Sequence, residues 1–160
     1  MELERITIVV RKFHDINDAD IAVLTSILNN DEKLRVSLGI QDKPQMSVDE
    51  FKEIGARWMV DNIGQFYCIY SDQPVGTISI SQISPEGQAR VGYWLTSTVW
   101  HKGYGTSVFE WLLSECKRIG INEISARIGA ENIPSLKLWR KFGGSTTLDE
   151  NQFTGRLQLG

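Results

Sequence analysis

Two glycines one residue apart, Gly103 and Gly105, lie in the stretch Trp100-His101-Lys102-Gly103-Tyr104-Gly105-Thr106. A long amphipathic segment begins directly behind them. Glycine lets a backbone turn sharply and approach a ligand closely. The N–H groups of a first helical turn have no partner within the helix, and the helix dipole favours negative charge there. Residues 101–106 therefore read as an anion site, with a phosphate-bearing ligand as the natural occupant. Three kinds of loop compete for this reading. A dinucleotide fold needs Gly-x-Gly-x-x-Gly straight after a strand. Here Val108 holds the third position, the loop is too long, and Glu123, some twenty residues on, starts its strand instead of ending it. A nucleoside-triphosphate loop needs Gly-Lys-Ser/Thr, which this chain lacks. The third kind is a pyrophosphate cradle for coenzyme A.

The surrounding pattern supplies elements to hold such a loop. Ile6 to Arg11 is rich in β-branched residues and reads as a strand. Helix-start residues at Asp15-Ile16-Asn17-Asp18 precede Ile21, Leu24 and Leu28 at helical spacing, and Asn29-Asn30-Asp31 ends that helix. Ser47 with Glu50 forms a capping box for a helix through Val60. Phe66–Tyr70, Val75–Ile83 and Ala89–Leu95 read as an antiparallel meander. The helix from Gly103 to Ile119 puts Val108, Phe109, Leu112, Leu113 and Cys116 on one stripe, with Gly120 as its stop. A strand over Ile124–Ile128 leads to a helix capped by Asn132, with Pro134 in its first turn. Leu136, Leu138, Trp139 and Phe142 are the apolar residues of that helix, and Gly143-Gly144 ends it. Two short strands flank Asp149-Glu150-Asn151. The order is strand, two helices, three strands, helix, strand, helix, two strands. It predicts one α/β (α+β) domain spanning residues 1–160, without repeats or linkers.

Composition agrees with a globular domain: 160 residues, 41 % apolar and 23 % charged, give enough chain for a core. A net charge of -3 shows no bias toward nucleic acid. No apolar run approaches a membrane span, and the N-terminus lacks a signal-peptide core, so a cytoplasmic protein is expected. Cys68 and Cys116 lie in apolar patterns and read as buried thiols. With only His14 and His101 besides, no metal site is expected.

From Arg90 to Gly143 the chain resembles the GNAT superfamily of acyl-CoA-dependent N-acyltransferases, in particular the branch with ribosomal-protein N-terminal acetyltransferases. Members carry Gln/Arg-x-x-Gly-x-Gly/Ala at the pyrophosphate loop. This chain matches at Gly103 and Gly105, followed by Thr106, but has Trp100 at the first position. The family's Asn-x-x-Ser/Ala is met by Asn132-Ile133-Pro134-Ser135. The resemblance implies a mixed, mostly antiparallel sheet flanked by helices, whose fourth and fifth strands splay at a bulge near Trp94–Leu95. It implies a pantetheine arm held along Trp94, Leu95 and Thr96, with a backbone N–H near Leu95 stabilising the oxyanion. The pyrophosphate would rest on the N–H groups of Gly103, Tyr104, Gly105 and Thr106. His101 and Lys102 would add charge, Trp100 would wall the adenine or pantetheine site, and Asn132 and Ser135 would touch the coenzyme.

The implied activity is transfer of an acetyl group from acetyl-CoA, by direct attack, to a primary amine of a small molecule or a peptide N-terminus. The family's acid is a tyrosine seven residues after the asparagine, and here that residue is Trp139. Ser135, one turn earlier, can hydrogen-bond the departing thiolate. The fourth strand carries no carboxylate, which leaves Glu131 as the nearest base and Tyr93 as another pocket candidate. Each has a plainer reading: Glu131 as a solvent-facing loop acid, Asn132 as an N-cap, His101 as an exposed loop residue. Two rival functions stand beside the transferase, a non-catalytic acyl-CoA-binding or regulatory module and a nicotinamide-dependent oxidoreductase. Acceptor choice falls to the early helices and the final strands, and the latter also offer a route to a homodimer.

Overall fold

A computed structural model describes residues 6–61 and 64–160. Seven strands form one sheet: β1 (Val9–Lys12), β2 (Gln65–Ser71), β3 (Gln73–Ser81), β4 (Gln88–Leu95), β5 (Glu123–Gly129), β6 (Ser145–Asp149) and β7 (Gln152–Gln158). Their spatial order is β1-β2-β3-β4-β5-β7-β6, and every neighbouring pair is antiparallel except β4 with β5. Five α-helices are described: α1 (Asp18–Asn30), α2 (Glu32–Leu38), α3 (Val48–Asp61), α4 (Tyr104–Arg118) and α5 (Ile133–Lys141).

The run Phe66 to Ile69 is apolar throughout because β2 is buried on both faces. Phe66 and Cys68 pack with Phe13, Ile21, Leu24 and Phe51 beneath α1 and α3. Tyr67 and Ile69 join the larger core with Val108, Phe109, Leu112 and Cys116 of α4. Both cysteines are buried free thiols, which burial pushes up to about 12. Gly120 adopts φ +87° behind α4, and the N–H groups of Gly120 and Ile121 return to the carbonyls of Lys117 and Cys116. This is the pair of hydrogen bonds that closes a glycine-terminated helix.

Three sequence expectations change. β1 begins at Val9, opposite Tyr70; β2 ends one residue later at Ser71, so residues 6 and 7 have no strand to pair with. Asp31 does not simply end α1: its carboxylate accepts from the N–H of Leu34 at 3.2 Å and caps α2, a helix the sequence reading passed over. The bulge expected near Trp94–Leu95 is not there. The β3–β4 register runs unbroken from Gly76↔Leu95 to Ser81↔Arg90, and the irregularity lies between Ile69 and Tyr70 of β2.

Candidate active site

β4 and β5 pair only over Gln88↔Glu123, Ala89↔Ile124 and Arg90↔Ser125. Beyond that point each strand follows its other neighbour: β4 stays on β3, while β5 pairs along its whole length with β7. Sheet twist separates the two leaves and opens a cleft. Thr96 N–H donates to the Val75 carbonyl at 2.8 Å, which sets the parity of the antiparallel ladder. Gly92, Trp94 and Thr96 therefore turn their main-chain groups toward β3, and Tyr93 and Leu95 turn theirs into the cleft.

Two adjoining cavities of about 520 and 160 Å³ fill this cleft. Both are bounded by Tyr93, Glu131, Asn132 and Ser135, with Ser37 and Leu38 of α2 as a roof. The structure thus brings the three candidate catalytic residues to one junction. Ser135 is buried, while Glu131 is exposed at the mouth. Burial pushes the Tyr93 hydroxyl up to about 12, with Ser135 beside it pulling the other way. Asn132 acts as the N-cap of α5, its side chain accepting from Ser135 N–H at 3.3 Å.

The smaller cavity runs along Trp94, Leu95, Trp100, His101 and Gly105 toward the start of α4. Gly103 caps that helix with φ +91°, a backbone suited to glycine, and His101 is also left-handed at φ +62°. The first intrahelical bond comes from Ser107 to Gly103, so the N–H groups of Tyr104, Gly105 and Thr106 have no intrahelical acceptor. Side chains hold this end of α4 in place. Tyr104 shares a hydrogen bond with Ser71 at 2.7 Å, and Ser107 donates to the Ile6 carbonyl at 2.8 Å. Trp100 donates its indole N–H to the Leu95 carbonyl at 2.8 Å.

Lys102, Gly103, Tyr104 and Thr106, expected at the coenzyme, line neither cavity. Thr96 is turned away altogether, its N–H on Val75 and its hydroxyl donated to Asp31 at 2.9 Å. A side chain on Gly105 would meet Leu138 Cδ1 at 3.1 Å, so that glycine also serves the packing of α4 on α5.

A family model described as an acetyltransferase (GNAT) domain matches residues 8–145. The chain belongs to this family. Its fold is shared by the spermidine N-acetyltransferase from Vibrio cholerae in complex with CoA and spermine, with TM-score 0.76 and 13% identity over 95% of each chain. A ribosomal L7/L12 alpha-N-protein acetyltransferase in complex with coenzyme A gives 0.77 and 18% over 95% of this chain and 94% of that one. A ribosomal-protein-alanine N-acetyltransferase from Brucella melitensis gives 0.73 and 16% over 94% and 99%. In sequence, an uncharacterized N-acetyltransferase p20 of Bacillus licheniformis is 33% identical over 70 residues, 42% of this chain. The match spans 39% of that relative's length.

Within this GNAT domain, the tyrosine position of the resemblance is filled by a core residue. Trp139 is 2 % exposed and packs edge-on against Phe109, with ring centroids 5.3 Å apart. Room for it comes from Gly155, where a Cβ would stand 2.8 Å from the indole. The roof is fastened by a residue outside the expected site, Asp31. Asp31 accepts from Ser97 N–H and Ser97 Oγ, both at 2.7 Å, besides Thr96 and Leu34. One carboxylate thereby joins α2 to the segment after β4. Burial raises its pKa, but those hydrogen bonds outweigh burial and hold it below the usual carboxylate value. Arg35 is buried and donates to the carbonyls of Leu28, Ile40 and Lys43, which fixes the chain beyond α2. The visible signal for α2 was Asp31 itself, a capping residue three positions before Leu34.

Proposed function

We propose that this GNAT domain is an N-acetyltransferase that moves an acetyl group from acetyl-CoA to a primary amine. The observation that carries this reading is the cleft between β4 and β5. It runs from Gly105 in the first turn of α4, past the main-chain groups of Tyr93 and Leu95, to the junction of Tyr93, Glu131 and Ser135.

Acetyl-CoA supplies an activated carbonyl on a thiol leaving group. The N–H groups of Tyr104, Gly105 and Thr106, with the dipole of α4, suit its pyrophosphate. Leu95 N–H, aimed into the cleft beside a carbonyl already taken by Trp100, is a donor for the oxygen that gains charge. The attacking amine must lose a proton, and Glu131 at the mouth can pass one to solvent. As the amine nitrogen bonds to the acetyl carbon, the carbon–sulfur bond breaks and sulfur takes a proton. A tyrosine with its pKa pushed up to about 12 gives its proton up poorly. Tyr93 and Ser135 therefore act as hydrogen-bond donors to the thiolate, with water completing the transfer.

The test is thiol release from acetyl-CoA on addition of primary amines, run beside thermal unfolding with coenzyme A, acetyl-CoA, NAD and ATP. Amine-dependent release and a rise of midpoint selective for the two coenzyme A forms are expected. Coenzyme A binding without transfer to any amine would favour the acyl-CoA-binding module. No selective rise would overturn both.

A further inference from the structure

The larger cavity carries a charge pattern that narrows the acceptor. Among the described residues that line it, the ones with acidic or basic side chains are Arg127 and Glu131. On β5 the residues Ile124, Ala126 and Ile128 are buried in the core, so Arg127 stands on the opposite face, beside Thr154 of β7. Glu131 follows in the turn between β5 and α5. Neither side chain has a hydrogen-bond or ion-pair partner among the described residues. Arg156 lies 3.8 Å from Glu123, Arg140 bonds Thr146 and Arg35 bonds three carbonyls, while Arg90, opposite Ser125 on β5, does not line this cavity. An uncommitted cation and an uncommitted anion thus share one cavity that opens on the reaction junction.

Building on the acetyl-transfer reading, we propose that the acceptor is a primary amine that also carries a carboxylate, with Arg127 binding the carboxylate and Glu131 facing the ammonium. A guanidinium matches a carboxylate in shape and charge and can hold it with two parallel hydrogen bonds. A polyamine fits this wall poorly, because Arg127 would repel the second ammonium and, among the described lining residues, Glu131 alone is acidic. Val36 and Leu38, exposed on α2 above the cavity, supply an apolar wall for the short chain between the two charged ends. The carboxylate can come from a free amino acid or from an acidic side chain at a peptide N-terminus, and both present the same two groups.

The experiment compares acceptors that differ only in that carboxylate: glycine with glycinamide, β-alanine with its amide, and an N-terminal aspartyl peptide amide with its asparaginyl counterpart. Values of kcat/KM are expressed per unprotonated amine, because the substituent also shifts the amine pKa. The carboxylated member of at least one pair is expected to be preferred by about tenfold, the scale of one charge-assisted hydrogen bond. Arg127→Gln should collapse that ratio, and Arg127→Lys should keep part of it. The pair that responds tells free amino acid from peptide. Coenzyme A affinity of each variant, read separately, reports that the fold is intact. Transfer to amides and acids alike would overturn the proposal and leave the acetyltransferase reading standing. If no amine is acetylated, calorimetry of the same pairs with coenzyme A present decides the matter. Binding of the acid that weakens in Arg127→Gln upholds the carboxylate site while the transfer reading falls, and no preference for the acid overturns the proposal.

Discussion

At the scale of single residues, the junction of Tyr93, Ser135 and Glu131 sets two expectations. Ser135→Ala should lower kcat by roughly ten- to a hundredfold while coenzyme A affinity changes less than about twofold, because one hydrogen bond to a charged sulfur is worth roughly 1.5–3 kcal/mol. Steady-state rates equal to the wild type would reduce Ser135 to a helix residue. Tyr93 is held above its ordinary value by burial, so it stays protonated from pH 6 to 9. Tyr93→Phe should therefore lower kcat without moving the inflections of the pH–rate profile in that range. A lost inflection would show that Tyr93 does titrate there. Part of this site could be read in the sequence. Gly103, Asn132 and Ser135 announce themselves by type and spacing, whereas Arg127 looks like any outward strand residue until β4 departs and leaves it facing a cavity. Trp100 departs from the expected Gln or Arg, and only the structure shows that its indole N–H spends itself on the Leu95 carbonyl.

At the scale of elements, the roof depends on one carboxylate. Asp31 caps α2 and receives Thr96 and Ser97 from the segment after β4. Asp31→Ala removes the cap and leaves buried donors unmatched, so a loss of roughly 1–3 kcal/mol is expected by denaturant unfolding. The sign with pH follows from the lowered pKa. A carboxylate whose folded value lies below its ordinary 3.8 stabilises the fold at pH values above that figure. That contribution fades as pH falls through the folded value. Asp31→Asn should thus be less stable than wild type at pH 7 and lose less on acidification to pH 3. Parallel acid limbs in the two proteins would sink the assignment. Helix α2 escaped the sequence reading because Asn29-Asn30-Asp31 signals an end as clearly as a start. α4 and α5 were legible because an apolar stripe, a glycine stop and a proline in the first turn all agree.

At the scale of the whole molecule, the meander, the order of every element but α2, and the splay of β4 from β5 that the resemblance implied were foreseeable. The place where the splay begins was not, because it depends on the twist of two leaves and no single residue marks it. The sheet is held across its middle by three residue pairs, and a ligand in the cleft would touch both leaves at once. A ligand that binds only the folded state stabilises it by RT ln(1 + [L]/Kd), about 2.7 kcal/mol at a hundredfold excess over Kd. If coenzyme A is that ligand, its effect should also be local in a way set by ladder parity. The amides of Gly92, Trp94 and Thr96 are engaged with β3, whereas those of Tyr93 and Leu95 face the cleft. Hydrogen exchange should therefore be faster at Tyr93 and Leu95 than at their alternating neighbours in the free protein. Saturating coenzyme A should slow those two amides by more than the global stabilisation alone provides. Equal protection along β4 before and after coenzyme A would mean that the arm of the coenzyme does not lie along this strand, and the cleft would lose its role as the coenzyme channel.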